Sequence, residues 1–492
     1  MKKIALLQNN VIFNSVIYSV SGLLLKCFQF FLLPLYTSHL TTQDYGVTSI
    51  STSFITTMGF IVAFSLFSAV LRFYVDLKED PEKLRRFYGT VTVFVFISGI
   101  AFGAILCLLR EQLCRYVFSG VDFFPVVFVS IISLIFSCQH HIYENILRSQ
   151  QKAIKYSIIV IAYFFVVLVL NILFVVVLKM GAIGVVLTTM IGNMLYTVFF
   201  IVDMVRSKSI TFCIDIPILK ESLKYSVPIM PHNLSTQIAE LVSKALIGGS
   251  NSLATLGLYS VASQFAGVAE TIQFYINNAY GPWLYERLHE KSEGYKKNIA
   301  HIVNMLCGVI GFVFIGISLF SHDYIVLFIN NTYTDAWKYI PMILTVFSIK
   351  TVYYFYVNVL FYYKEASRNL FIATLSSSLL NVLLSAVLIP KMGAVGSILA
   401  DAVAMIIRVA VIIFISRKYE DIGLKIKSFV SNFFIVAIFM YGGHILTYFV
   451  YHEQFSIWNL LYKILILIIY VVYILCRFKK QIISFVNSLK KQ

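Results

Sequence analysis

Apolar residues gather along this chain in runs of about 20 or more, separated by short segments that hold most of the charge. Such runs predict helices that cross a membrane. About fourteen spans are read in this way, at roughly 11–36, 46–73, 87–109, 125–147, 157–178, 183–205, 225–249, 257–283, 299–320, 339–362, 370–389, 394–416, 429–450 and 457–476. The fold class that follows is all-α, a polytopic membrane protein. No connection is long enough to fold as a soluble domain, which argues against an appended enzyme. The Met1-Lys2-Lys3 start resembles a signal peptide. Gln8, Asn9 and Asn10 interrupt it, and the span after them lacks a small-residue cleavage site, so an uncleaved first helix is expected.

One stretch is written twice. Asn171 to Ile191 reads NILFVVVLKMGAIGVVLTTMI, and Asn381 to Asp401 reads NVLLSAVLIPKMGAVGSILAD. Each copy should be a helical hairpin that turns at its glycines. Lys179 and Lys391 are 212 residues apart, Asn171 and Asn381 are 210 apart, and Gly46 and Gly257 are 211 apart. This agreement predicts a duplication of about 210 residues. The expected domains are six-helix bundles at 1–206 and 225–418, a cytoplasmic linker at 207–224, and two further spans with a basic cytoplasmic tail at 419–492. An even number of spans per copy makes both enter the membrane in the same sense, related by a pseudo-two-fold axis along its normal.

Polar residues inside the spans recur at helical spacing. Ser15, Ser19, Gly22, Lys26 and Gln29 share a face of span one, and Asn233, Thr236, Gln237, Glu240, Ser243 and Lys244 share one of span seven. Glu240 stands one turn before Lys244, the favourable order for a pair. Span two carries Ser49, Ser53, Thr56, Ser65, Ser68 and Arg72, and span eight carries Ser263, Gln264, Gly267, Glu270, Gln273 and Asn277. These four spans are equivalent pairs in the two copies, a pattern expected of bundles that face a central polar cavity. Lys350, Tyr354, Asn358 and Tyr362 line span ten, and Ser397, Asp401 and Arg408 share a face of span twelve. Spans three, five, eleven and thirteen read as nearly all apolar and should face lipid or the bundle interior.

Composition agrees: the 492 residues are 59% hydrophobic and 13% charged, beyond what a soluble domain of this length keeps in solution. The net charge of +16 would suggest nucleic acid, and its placement decides otherwise. With the N-terminus inside, 28 of 39 Lys and Arg fall on the cytoplasmic side and five outside, which places both termini in the cytoplasm and leaves no need for a nucleic-acid partner. The seven cysteines form no CxxC pair and suggest neither disulfide nor metal.

Six cations remain within spans: Lys26, Arg72, Lys244, Lys350, Arg408 and Lys463. Three acids away from the span ends oppose them, Glu240, Glu270 and Asp401. An ion near the bilayer centre costs at least ~2.5 to 3.5 kcal/mol on insertion scales, so each calls for a partner or a wet path. The positive surplus favours an anionic passenger. For Lys26, Lys350 and Arg408 the alternative is an internal pair that holds helices together. For Arg72, Lys244 and Lys463 it is snorkelling to the headgroups. Tyr353, Tyr354, Tyr356, Tyr362 and Tyr363 could stack on sugar rings or form an interfacial belt. His140 and His141 are adjacent and so diverge on a helix, which with Glu144 makes a poor metal site. There is no GxxxxGK[ST] loop, HExxH or GxSxG, so neither ATP hydrolysis, catalysis nor a cofactor is expected.

Ser38 to Val47, SHLTTQDYGV, the AVLRFY end of span two at Ala69 to Tyr74, and the two Lys-Met-Gly-Ala hairpins resemble the polysaccharide transporter branch of the MOP exporter superfamily, whose Wzx-type members flip O-antigen and related repeat units. The likeness covers about residues 10 to 418. It implies a MATE-like V-shaped pair of bundles in the bacterial inner membrane. It also implies an undecaprenyl-diphosphate-linked oligosaccharide as substrate, membrane lipids as surroundings, and polymerase and chain-length machinery as further partners. The polar faces supply the expected substrate-binding residues, Lys26, Gln29, Arg72, Gln237, Lys244, Lys350, Tyr354, Asn358 and Arg408. Glu240, Glu270 and Asp401 are the candidates for a coupling H+ or Na+. A lipid II flippase, a cation-coupled drug exporter and a membrane glycosyltransferase are the alternatives.

Overall fold

The computed structural model describes residues 2–363, 365 and 367–479, apart from the side chains of 2–12, 15, 16 and 367–369. Ser15 of the span-one face and the basic tail after Lys479 therefore lie outside the described residues. Fourteen long helices carry the described chain. They are α1 (Lys2–Phe31, continued by Leu33–His39), α2 (Thr42–Val62), α3 (Pro81–Leu108), α4 (Phe128–Ser149), α5 (Ala153–Asn171), α6 (Ala182–Arg206) and α7 (Met230–Ser250). Then follow α8 (Leu253–Glu290), α9 (Tyr295–Phe328), α10 (Ile340–Tyr362), α11 (Ser367–Met392), α12 (Ala394–Tyr419), α13 (Ile426–Gly442) and α14 (Ile457–Arg477). Among the described residues, twelve segments are long and apolar enough to cross a membrane. The two long helices left out, α7 and α8, are those whose polar faces the sequence makes widest.

The chain forms two compact units, one of Met1–Gly257 with Val382–Gly393, the other of Leu258–Asn381 with Ala394–Gln492. In the first, two of the recognisable motifs touch. Thr41 and Asp44 cap α2 reciprocally: the Asp44 N–H donates to Thr41 Oγ1 and the Thr41 N–H to Asp44 Oδ2, each at 3.1 Å. The free oxygen of Asp44 accepts the Ala182 N–H at 3.3 Å, which pins the Lys-Met-Gly-Ala turn where Gly181 takes φ +62°. The second turn is built alike: Gly393, at φ +59°, lies against the Asn251 side chain.

Gly46 and Gly257, the third echo of the duplication, are where backbones meet. A Cβ on Gly46 would lie 2.0 Å from the Leu253 carbonyl oxygen, and one on Gly257 would lie 1.9 Å from that of Thr42. Only glycine permits this approach. Gly46→Ala or Gly257→Ala is therefore expected to lower stability by about 1–3 kcal/mol, the usual range for overpacking. Thermal unfolding of the detergent-solubilised protein checks this, with Gly316→Ala, whose added Cβ meets nothing within 4 Å, as the neutral control.

Span two is not the continuous helix that its apolar run predicts. It stops at Val62 and resumes over Leu66–Leu77, because Phe64 and Ser65 adopt left-handed φ of 47° and 53°. The Ser98 hydroxyl donates to the freed Val62 carbonyl at 2.7 Å, so the break leaves that acceptor satisfied.

In the second unit, Lys463 corrects an expectation. Instead of snorkelling from α14, it is fully buried (0% exposed) and donates to Asp323 Oδ2 of α9 at 2.8 Å. The sequence assigns Asp323 to an outer loop, but α9 continues to Phe328 and carries it inside. His322 Nε2 lies 3.0 Å from the Glu453 carbonyl, which can only accept, so that nitrogen carries the proton. Its Nδ1 lies 3.5 Å from both the Lys463 ammonium and Asp323 Oδ1.

At the other end of α12, Glu420 accepts from Lys291 at 2.5 Å, Tyr295 at 2.7 Å and Tyr363 at 2.9 Å. Burial opposes its ionisation, and these three donors outweigh burial, so its carboxyl titrates below the ordinary 4.5. A depressed folded value means that the latch contributes stability above the ordinary carboxylate range. That contribution is lost as pH falls through the lower, folded value. The melting-temperature gap between the wild type and Glu420→Gln is expected to be small, since the Lys291 partner is half exposed, and to close below about pH 4.5.

Candidate functional site

Three polar groups stand among the helices. In the first unit, Lys244 of α7 donates to Glu240 Oε1 and to Ser53 Oγ of α2, both at 2.7 Å, and Ser53 lies 3.3 Å from Glu240. One turn earlier, the Thr57 hydroxyl donates to the Gln237 carbonyl at 3.2 Å. The helix spacing of Glu240 and Lys244 aims both at α2, whose own Ser53 and Thr57, one turn apart, meet them and the Gln237 backbone. Lys26 of α1 is near enough for its charge to act on Glu240. The Lys244 chain is 13% exposed, so the carboxylate replaces hydration that the ammonium loses.

In the second unit, Lys350 of α10 pairs with Glu270 of α8, and its ammonium lies 5.5 Å from the centre of the Tyr354 ring. Gln273 donates to Thr351 Oγ1 at 2.6 Å and to the Phe347 carbonyl at 3.1 Å. Asn358 donates to Asn277 at 2.7 Å beside Gly281. The polar lines of spans eight and ten thus meet each other rung by rung.

Arg408 of α12 forms the third group. Its Nε donates to Ser377 at 2.6 Å and a terminal nitrogen to Ser378 at 3.2 Å, both on α11. Asp401, one face of the same helix, accepts from Asn381. Lys244, Lys350 and Lys463 each pair with a carboxylate, whereas Arg408 has no carboxylate within 4.0 Å among the described residues. Its direct hydrogen-bond partners are neutral hydroxyls, and the Asp401 carboxylate acts on its charge from further away.

The structure thus groups Lys26, Gln237, Glu240 and Lys244 in one unit, and in the other Glu270, Lys350, Tyr354 and Asn358, with Asp401 and Arg408 as a separate set. Arg72 joins none of them. It bonds Asp76 on the exposed face of Leu66–Leu77, at half exposure. Gln29 is exposed on α1. Tyr356 is buried, its hydroxyl donating to the Leu424 carbonyl, and Tyr363 is tied to Glu420, so neither ring is free to meet a sugar. Sequence reasoning missed Ser377 and Ser378 by reading span eleven as nearly all apolar. Ser376, Ser377 and Ser378 in succession are the signal that marks a polar contact there. His140 stacks on Tyr196, with ring centres 3.7 Å apart, and meets Asn193 and Glu144 at 3.3 and 3.5 Å.

A groove of about 800 Å³ also opens in the second unit between α9, α10, α12 and α13. Phe314, Val352, Ile413 and Phe433 are among its apolar walls, and Arg417 and Lys418 stand at its charged end.

Across its length the chain resembles the lipid II flippase MurJ in an inward closed conformation, with a TM-score of 0.69 and 18% identity over 96% of this chain and 100% of that one. It also resembles an inward-facing multidrug resistance MATE transporter of the MOP superfamily, with a TM-score of 0.58 and 15% identity over 77% and 92%. A MOP superfamily transporter from Pyrococcus furiosus, described as having a binding pocket of reversed polarity, matches at a TM-score of 0.56 and 16% identity over 82% and 95%. These likenesses establish the helical fold. In sequence, an uncharacterized membrane protein of Haemophilus influenzae is 24% identical over 374 residues, covering 75% of this chain and 88% of its own. A family model described as polysaccharide biosynthesis protein matches residues 39–342, well over half of the 492. With both hairpin-capping residues Thr41 and Asp44 and the whole of α2 to α9 inside that match, the chain belongs to the polysaccharide biosynthesis protein family.

Proposed function

We propose that this protein is a flippase. It carries an undecaprenyl-diphosphate-linked oligosaccharide repeat unit from the cytoplasmic to the periplasmic leaflet by alternating access, for O-antigen or capsule synthesis. It resides in the bacterial inner membrane with both termini in the cytoplasm, built on duplicated bundles at 1–206 and 225–418. The observation that carries this reading is Arg408, a cation within a predicted span that makes no ion pair within 4.0 Å among the described residues and is hydrogen-bonded by Ser377 and Ser378. A diphosphate supplies the two acceptor oxygens that such a planar fork engages. Lys26, Lys244 and Lys350 add positive charge, and Gln29, Gln237, Tyr354 and Asn358 offer hydrogen bonds to the glycan. Arg72 meets the headgroup on arrival at the cytoplasmic surface. Glu240, Glu270 or Asp401 takes the coupling H+ or Na+. The apolar groove beside Arg417 and Lys418 suits the polyprenyl tail, with its charged end toward the headgroup. Polymerase and chain-length proteins would receive the product.

The test is rescue of surface polysaccharide in a strain that lacks its repeat-unit flippase. Restored polymer supports the reading; accumulation of lipid-linked units on the cytoplasmic leaflet despite full expression overturns it. A second reading, lipid II flipping, is favoured by the likeness to MurJ over nearly the whole chain. Rescue of cell-wall synthesis after depletion of the resident lipid II flippase would decide for it.

A further inference from the structure

A second groove, of about 570 Å³, lies in the first unit where α5 begins, lined by Asn14, Lys152, Lys155, Ile158 and Phe199 among others. It has a charged end and an apolar wall. Ile158 and Phe199 are 63% and 46% exposed on spanning helices, so acyl chains are what they meet. At the charged end, Lys155 is committed to Asp203, with both carboxylate oxygens at 2.7 Å. Lys152 is exposed and forms no ion pair among the described residues. One positive charge is thus left over, at the level where α5 enters the membrane, on the face that the charge asymmetry assigns to the cytoplasm. Gln151 and Asn14 add neutral hydrogen-bonding groups to the same rim. α5 also starts here without a capping side chain.

We infer that this groove binds one anionic phospholipid of the cytoplasmic leaflet, its phosphodiester beside Lys152 and an acyl chain along Ile158 and Phe199. The occupant follows from charge and shape together. A single surplus cation matches a headgroup of net charge −1, such as that of phosphatidylglycerol. The ammonium of a zwitterionic headgroup would be repelled by Lys152. A free phosphate would leave the apolar wall uncovered. The site is separate from Lys244, Lys350 and Arg408, so its occupancy can be tested without reference to transport.

The test uses the full chain in detergent, titrated with phosphatidylglycerol or phosphatidylethanolamine and weighed by native mass spectrometry. The wild type is expected to retain one phosphatidylglycerol at concentrations where phosphatidylethanolamine is lost. Lys152→Glu should weaken that binding by at least about five-fold, the worth of one lysine near a lipid headgroup. Lys152→Gln should shift it in the same direction by less. Lys208→Glu, an exposed lysine on the same side but outside the groove, should leave it unchanged. Equal retention by Lys152→Glu, equal retention of the two lipids, or displacement by millimolar inorganic phosphate would each overturn the inference. Because Lys152 is exposed, all variants should melt with the wild type.

Discussion

Replacing Arg408 with Gln is expected to abolish rescue of a flippase-deficient strain while the protein remains at its normal level in the membrane. A charge-assisted contact from an arginine contributes about 1.5–3 kcal/mol, so transport should fall at least about tenfold and up to about a hundredfold. The structure explains why stability should survive. Ser377 and Ser378 are hydroxyls that can turn to backbone or to each other, and Asp401 keeps its hydrogen bond from Asn381, so loss of the guanidinium breaks no ion pair within 4.0 Å among the described residues. Arg408→Lys keeps the charge and loses the planar fork, and should give an intermediate rate. Lys350→Gln behaves differently, since it leaves Glu270 without its partner and should reduce protein level as well. Surface-polysaccharide output normalised to immunoblot intensity separates these outcomes. Wild-type output from Arg408→Gln would remove the diphosphate site.

The second large effect is on stability. Asp323→Ala leaves Lys463 buried without a counter-charge and should destabilise the protein by about 3–5 kcal/mol, the usual result of breaking a buried pair from one side. The double variant Asp323→Leu with Lys463→Met removes both charges and should recover most of the loss, because the pair's desolvation is removed together with its attraction. Thermal unfolding in detergent is the measurement. A double variant as unstable as the single one would show that the His322 ring, rather than the ion pair, holds α14 to α9.

These two residues show how far a sequence reaches. Twelve of the spans were legible because their apolar runs are long enough to cross a bilayer. The repeated hairpins were legible because glycine at a positive φ leaves few substitutes. The Glu240 and Lys244 pair could be read from spacing alone, since both sit on one helix. Partners on different helices could not. Nothing in the order of residues says that Lys463 finds Asp323 at a separation of 140, or that Lys350 finds Glu270 at 80. Arg408 was legible as a deep cation, but its lack of a carboxylate became visible only once α11 stood beside it. The break at Phe64 and Ser65 had no warning either, because neither residue is a usual helix breaker.

The shortfall of α7 and α8 in apolar character bears on how the chain is made. Helices that fail a hydropathy threshold partition poorly into lipid when each leaves the ribosome alone. Here the nascent second half must wait for company. Ser53 and Thr57 of the already inserted α2 offer α7 the hydrogen bonds that bulk lipid lacks, and Lys350 and Thr351, still to be translated, do the same for α8. A fragment released after residue 290 would hold α8 before its companion exists, and biogenesis rather than folding thermodynamics would then set its fate.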